Sequence, residues 1–337
     1  MAADPLVSIC IPTYNRAGMI RTAIESALAQ TYGNIEVIVV DNASTDSTEE
    51  VVKGIHDGRL QYHRNPVNLG LFGNFNRCIE LAHGEYIHIL HSDDSIDPGF
   101  TGTCIRFFLD HPDVMMTFTS AKIPSGDHEV EISCSDKDEV FVAPEGFRRL
   151  LADRSFIICP SVMMKRSTCD CIGPYSLEYP YSSDFHQWLK VTREYNVGFI
   201  RSAWVYYRQG EHSESYHHLF TGVTGYLDTL KIYAALIKTL GSERVQYNQE
   251  LNASLRRFCM DCLFAGITRC DTMEEFSPQF FTGMAMTVRS MIRPASFFEH
   301  LEKTWLFFVI LAASCVLGFS ILRHTAQWLF STRSTFY

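Results

Sequence analysis

The chain has no stripe of clustered Lys and Arg. Its 337 residues carry 38 acids against 29 bases, a formal net charge of -9. Non-specific nucleic-acid binding needs clustered bases to neutralise phosphates, so that class is excluded and no nucleic-acid partner is expected. Without such a stripe, the 24 Phe and 15 Tyr read as core and groove lining. Low-complexity tracts and internal repeats are also missing. With 46% hydrophobic and 20% charged residues, the composition is that of a globular chain.

Cysteine pairing is equally sparse. Of 11 Cys, only Cys169 with Cys171 and Cys259 with Cys262 lie close in sequence. The second pair has redox or zinc-like spacing, but no second ligand pair follows at a zinc-site distance. It also falls in a helical stretch, so buried reduced thiols are expected. Met1 to Pro5 opens without an apolar h-region. Together with the odd cysteine count, this predicts a reducing, cytoplasmic setting.

What is present is a set of apolar strands that end in polar clusters. Tyr86 to Leu90 reads as a buried strand, and His91-Ser92-Asp93-Asp94 follows it directly. Burying an unpaired charge costs several kcal/mol, so paired carboxylates at a strand end need a reason. A divalent cation bridging to a diphosphate would supply one. A turn cap leading into the helix after Pro98 would supply another.

The N-terminal region repeats the pattern. Val7 to Asn15 reads as a short strand halted by Pro12 and followed by turn-forming polar residues. Met19 to Gln30 then shows apolar residues at Ile20, Ala23, Ile24, Ala27 and Leu28, a helical spacing. Glu36 to Asp41 is a second strand ending in a carboxylate. Asp41 to Asp46 forms a polar turn in which Asp46 or Ser47 could cap the next helix. The fold class is therefore α/β, with a mostly parallel sheet whose polar strand ends gather on one edge.

In order and spacing, five segments resemble the inverting family 2 glycosyltransferases. They are Val7 to Asn15, Val39 to Asp46, Asn68 to Gly70, Gly84 to Ile87, and His91 to Asp94. The resemblance runs from about Val7 to Ser215. It implies a GT-A fold, a Rossmann-like sheet flanked by helices, and sugar transfer from a nucleotide-diphosphate donor. The expected donor is a UDP- or dTDP-sugar, and the acceptor a hydroxyl of a glycan or lipid-linked glycan.

The resemblance also implies site residues. Asp93 matches the last acid of an Asp-x-Asp motif and is the expected contact for Mn2+ or Mg2+. His91 stands where the first acid would be, with Ser92 between them. Asp41 matches the acid facing the nucleobase, where a carboxylate can accept the N3–H of uracil or thymine. Pro12, Thr13, Tyr14 and Asn15 should line the same pocket, with Asn68 and Gly70 opposite. Phe75 replaces an Arg common in relatives. Asp184 matches the catalytic base, although a helix N-cap remains an alternative and His186 a weaker rival. His212 could ligate metal and Arg208 could pair with phosphate, or both could be surface structure.

After Ser213 the strand signals stop. Residues 1–215 are the expected catalytic domain and 216–300 a helical extension. The segment 303–324 contains an uncharged run from Trp305 to Leu322, and 325–337 form a tail. Such a run rises about 27 Å as a helix, close to a bilayer's hydrocarbon thickness. One membrane span, an in-plane anchor and a buried helix all remain open, with membrane association expected. Two other functions compete. A sugar-phosphate nucleotidyltransferase would open on a Gly-rich phosphate loop, which Pro12 to Asn15 is not. A non-catalytic carbohydrate-binding module would not need Asp93 or Asp184.

Overall fold

The computed structural model describes residues 4–125, 128–153, 156–210, 224–254 and 257–258. The chain divides into two compact units, Met1–His218 and Leu219–Tyr337.

The first unit opens with three strand–helix–strand steps. Strand β1 (Val7–Thr13) is followed by helix α1 (Ile20–Leu28), then β2 (Ile35–Asp41) and α2 (Thr48–Lys53). Next come β3 (Leu60–Arg64), α3 (Leu71–Leu81) and β4 (Tyr86–Ile89). These four strands are parallel in the order β3-β2-β1-β4. Every residue of β1 and β2 is buried, as expected of a parallel sheet covered on both faces. Ile9 and Ile11 pack in one core with Ile20, Ile24 and Ala27 of α1. Cys10, on the opposite face, points its thiol at the Cys78 carbonyl of α3.

The second half of the sheet mixes directions. It contains β5 (Ser95–Ile96), α4 (Phe100–Asp110), β6 (Val114–Ser125), β7 (His128–Ile132) and β8 (Glu139–Phe141). Helix α5 (Glu145–Ala152), β9 (Met163–Lys165), α6 (Arg166–Ile172), α7 (Ser183–Glu194) and β10 (Asn196–Tyr206) complete it. Strand β9 runs antiparallel between β4 and β6, and β10 lies parallel to β6. The polar stretch from Ser125 to Asp138 begins as the return arm of a hairpin, β7 on β6. The result is a ten-stranded, mostly parallel sheet flanked by helices.

Two local features position the sheet edge. Gly84 enters β4 so close to β1 that a Cβ would stand 2.6 Å from the Ser8 nitrogen. Pro12 does not halt β1, contrary to the sequence expectation, and the strand runs on to Thr13. The reason lies in the register. The β1–β4 ladder ends at Cys10 and Ile89, with a last bond from the Leu90 N–H to the Cys10 carbonyl. Backbone groups of alternate residues face alternate neighbours, so the Pro12 nitrogen faces the side that β4 has already left. Its missing N–H therefore costs no ladder bond.

In the second unit, helix α8 (Thr224–Leu240) ends at Gly241, which has φ of 52°. A 3-10 segment, Gly241–Tyr247, follows. The Tyr233 hydroxyl is hydrogen-bonded to Ser254. Among the described residues no helix is long and apolar enough to cross a membrane. The 303–324 segment, His212 and the Cys259–Cys262 pair lie outside the described residues.

Candidate active site

The strand order reverses between β1 and β4, and open α/β sheets bind ligands outside such a switch point. A cavity of about 630 Å³ opens there, within the usual size of a small-molecule site. Pro12, Thr13 and Tyr14 line it at the end of β1, and Asn68 and Gly70 at the entry to α3. His91, Ser92 and Asp93 line it after β4, and Asp184 at the start of α7. The cavity therefore gathers nine of the expected residues. Arg208 also lines it.

Asn15 and Asp41 are not among the lining residues. Asn15 adopts a left-handed backbone with φ of 53°, which Asn tolerates. Its Oδ1 accepts the Thr45 N–H at 2.8 Å, and its own N–H donates to Ser44 Oγ. Asp41 is fully buried, behind the cavity wall. Its Oδ1 accepts the Ser44 N–H at 2.7 Å, and its Oδ2 accepts the Tyr62 hydroxyl at 2.6 Å and Arg64 at 3.2 Å. Burial and this carboxylate push the Tyr62 hydroxyl pKa well up. Asp46 caps α2 from outside, accepting the Thr48 N–H and hydroxyl, and it also binds the Ala17 N–H. Burial works against its charge, but those bonds hold its pKa below the usual range.

A side-chain amide network fixes the wall between β2 and α3. Asn42 Nδ2 donates to Asn68 Oδ1 at 2.8 Å and to the Gly70 carbonyl at 3.1 Å. Its Oδ1 accepts from Asn65 Nδ2 and the Leu69 N–H. Asn65 also donates to Asn74 Oδ1, and Asn74 donates to the Val40 carbonyl. Sequence reasoning passed over Asn42 and Asn74, although both line the cavity. Four asparagines packed between residues 42 and 74 were the available signal. Gly70, with φ of 76°, makes the turn that the network closes on.

Next to Asn74 on α3, Phe75 occupies its expected slot without charge. Its ring sits 5.3 Å from Phe72, 5.6 Å from Tyr175 and 5.8 Å from His91, centroid to centroid. His91 Nδ1 stands 3.4 Å from Asp94 Oδ2. Burial opposes a charge on the ring, yet Asp94 and the Cys159 thiol outweigh it and hold the ring's pKa well above the usual histidine range. Asp94 accepts the Arg208 N–H at 2.8 Å through its other oxygen.

Asp184 sits in the first turn of α7, where Ser182 holds the cap position. Its Oδ1 accepts the neighbouring Phe185 N–H at 2.7 Å. Burial raises its carboxyl pKa above the usual range, against the opposing pull of that N–H and of the His91 ring. Cys159, which no local signal announced, lines the cavity beside both His91 and Asp184. His186 is not among the lining residues. It packs 4.9 Å from Tyr179, and burial pushes its ring down to about 4.

The family model for glycosyl transferase family 2 matches residues 8–173. A UDP-Glc:alpha-D-GlcNAc-diphosphoundecaprenol beta-1,3-glucosyltransferase of Escherichia coli, WfgD, is 30% identical over 204 residues, covering 60% of this chain and 76% of that protein. The chain belongs to glycosyl transferase family 2. An uncharacterized glycosyltransferase from Rickettsia typhi is 32% identical over 58% of this chain, which spans only 61% of that relative's length. Among solved structures, Staphylococcus aureus TarS in complex with UDP-GlcNAc superposes with a TM-score of 0.65 at 20% identity. That match covers 85% of this chain and 81% of TarS. A Pyrobaculum calidifontis mannosyltransferase in complex with GDP-Man and Mn2+ gives 0.56 at 16% identity, covering 85% of this chain and 81% of that one. These likenesses identify the GT-A fold.

The chemistry of the donor set suits a family 2 cation. Asp93 faces the cavity, and one donor atom each from His91, Asp93 and Asp94 lies within 4.8 Å of the others. Asp94 Oδ2 and His91 Nε2 are buried without hydrogen-bond partners.

Proposed function

We propose that the chain is an inverting glycosyltransferase that moves a sugar from a UDP- or dTDP-sugar to a hydroxyl of a glycan or lipid-linked acceptor. The observation that carries this reading is the single cavity joining the β1 end, the Asn68–Gly70 turn, Asp93 and Asp184. The relatives support the substrate classes, since WfgD is named for a UDP-Glc donor and a diphosphoundecaprenol-linked acceptor.

In this reading Thr13, Tyr14, Asn68 and Gly70 hold the nucleotide. Asp41, locked by Arg64 and Tyr62, keeps the β2–β3 end in register behind it. Asp93 would hold Mn2+ or Mg2+, which when bound offsets the charge growing on the departing diphosphate. Asp184 accepts the proton of the acceptor hydroxyl as its oxygen bonds to the anomeric carbon. The bond from that carbon to the diphosphate breaks on the opposite side, so the configuration inverts. Phe72, Ile157 and Pro160 give the same cavity an apolar stretch of lining.

Residues 1–215 form the catalytic domain and 216–300 a helical extension. The uncharged run within 303–324 associates the chain with a membrane, leaving the catalytic domain in the cytoplasm. Hydrolysis of UDP-, dTDP- and GDP-sugars, with and without Mn2+, tests the reading. Release of UDP or dTDP is expected. Pyrophosphate-dependent conversion of the nucleotide sugar to a nucleoside triphosphate and a sugar 1-phosphate would identify a nucleotidyltransferase instead, and sugar binding with no turnover a carbohydrate-binding module.

A further inference from the structure

Where the family resemblance expects the first acid of the metal motif, this chain carries an imidazole. His91 Nδ1 lies 3.4 Å from Asp94 Oδ2, beyond the roughly 2.7–3.2 Å of a good N–H to oxygen hydrogen bond. Asp94 is only 3% exposed, and that oxygen has no hydrogen-bond partner. Its other oxygen is tied to the Arg208 N–H. The carboxylate is thus fixed in direction with one buried oxygen unsatisfied, a state that costs free energy until a cation or donor completes it. Two ligands of one octahedral ion stand about 3 Å apart when the bonds are about 2.1 Å. The His91–Asp94 separation needs to close by only a few tenths of an ångström to meet that edge.

Resting on the nucleotide-sugar reading above, we propose that His91 Nδ1 and Asp94 Oδ2 chelate the divalent ion together with Asp93. We further infer that the ring nitrogen makes this site select a first-row transition metal such as Mn2+ over Mg2+. Mg2+ favours oxygen ligands in near-ideal octahedra and keeps several waters, whereas imidazole suits the transition series. The Arg208 N–H then acts as the outer partner that aims Asp94. The competing arrangement has Asp93 alone on the ion, with the His91–Asp94 pair as a structural prop.

Pulsed electron paramagnetic resonance on the full chain with UDP and Mn2+ separates the two, because it detects a nitrogen bound to the ion. A nitrogen coupling is expected that persists in His212→Ala and disappears in His91→Gln. Should His91→Gln lose its circular dichroism spectrum, His91→Asn serves in its place. Asp94→Asn should weaken Mn2+ binding by at least the roughly 10–100-fold that losing only an outer partner of a ligand costs, and His91→Asp should shrink the preference for Mn2+ over Mg2+ in equilibrium dialysis. No bound Mn2+, a complex without nitrogen coupling, or a coupling unchanged in the His91 variants overturns the chelate. UDP binding, followed by calorimetry on the same samples, keeps the failures apart. UDP bound without the coupling refutes the chelate alone, whereas no binding of any nucleotide refutes the nucleotide-sugar reading.

Discussion

Asp184 lies both in the first turn of α7 and on the cavity wall. Ser182 stands at the N-cap position without a side-chain cap bond, while Asp184 Oδ1 accepts the Phe185 N–H. A general base typically contributes about 10²–10⁴-fold in rate. Asp184→Asn and Asp184→Ala should therefore lose sugar transfer by about that factor with donor affinity nearly unchanged, measured as turnover against a binding isotherm. A wild-type rate in Asp184→Asn would move the base elsewhere. Because the base works ionised and burial raises its pKa, transfer should fall as pH drops through that raised value and recover above it. The pH profile of kcat/KM reads this limb. Asp93→Asn keeps the side chain's size but weakens a hard-cation contact, so metal-stimulated donor turnover should vanish while the far-UV spectrum stays unchanged. The placement of Asp93 and Asp184 on one cavity was legible because motif order locates them. The seclusion of Asp41 was not, since its partners Tyr62 and Arg64 arrive from β3 only once the register is known.

At the scale of elements, β1, β2, β4 and α1 could be read from periodicity and polar ends. Strand β9 could not, because Met163–Lys165 is too short to show a pattern and its neighbours lie far away in sequence. The polar side chain that β4 carries into the core was equally hidden. His88 is fully buried, its Nδ1 is 2.9 Å from the Val162 carbonyl, and its ring lies 4.7 Å from Phe100. Burial, aided by the nearby His91 charge, pushes it down from 6.5 to about 4. The folded chain thus resists a proton that the unfolded chain accepts. This contribution is complete above about pH 6.5 and is lost as pH falls toward 4, by about 3 kcal/mol in total. Urea unfolding at pH 7 and pH 4.5 should register the loss, and His88→Leu should flatten that slope. Asp46, whose pKa is held below its ordinary 3.8, titrates below this window.

Across the whole molecule, the expected nucleotide, metal and base residues that line the cavity lie within Met1–His218. Truncation before Trp305 should therefore leave UDP binding intact while releasing the chain from membranes. Carbonate-washed membranes are expected to retain the full-length chain, and its recovery in the soluble fraction would reject the anchor. Two neighbouring strands part company at Cys10, and the chain seals the parting with a residue that has no hydrogen to offer. Pro12 works as a doorstop. With any other residue there, an amide would look across the gap for a carbonyl, and a β4 lengthened by two residues could zip the opening shut. The opening is thus written into the backbone as a withheld bond, leaving the surrounding side chains free to change what enters it.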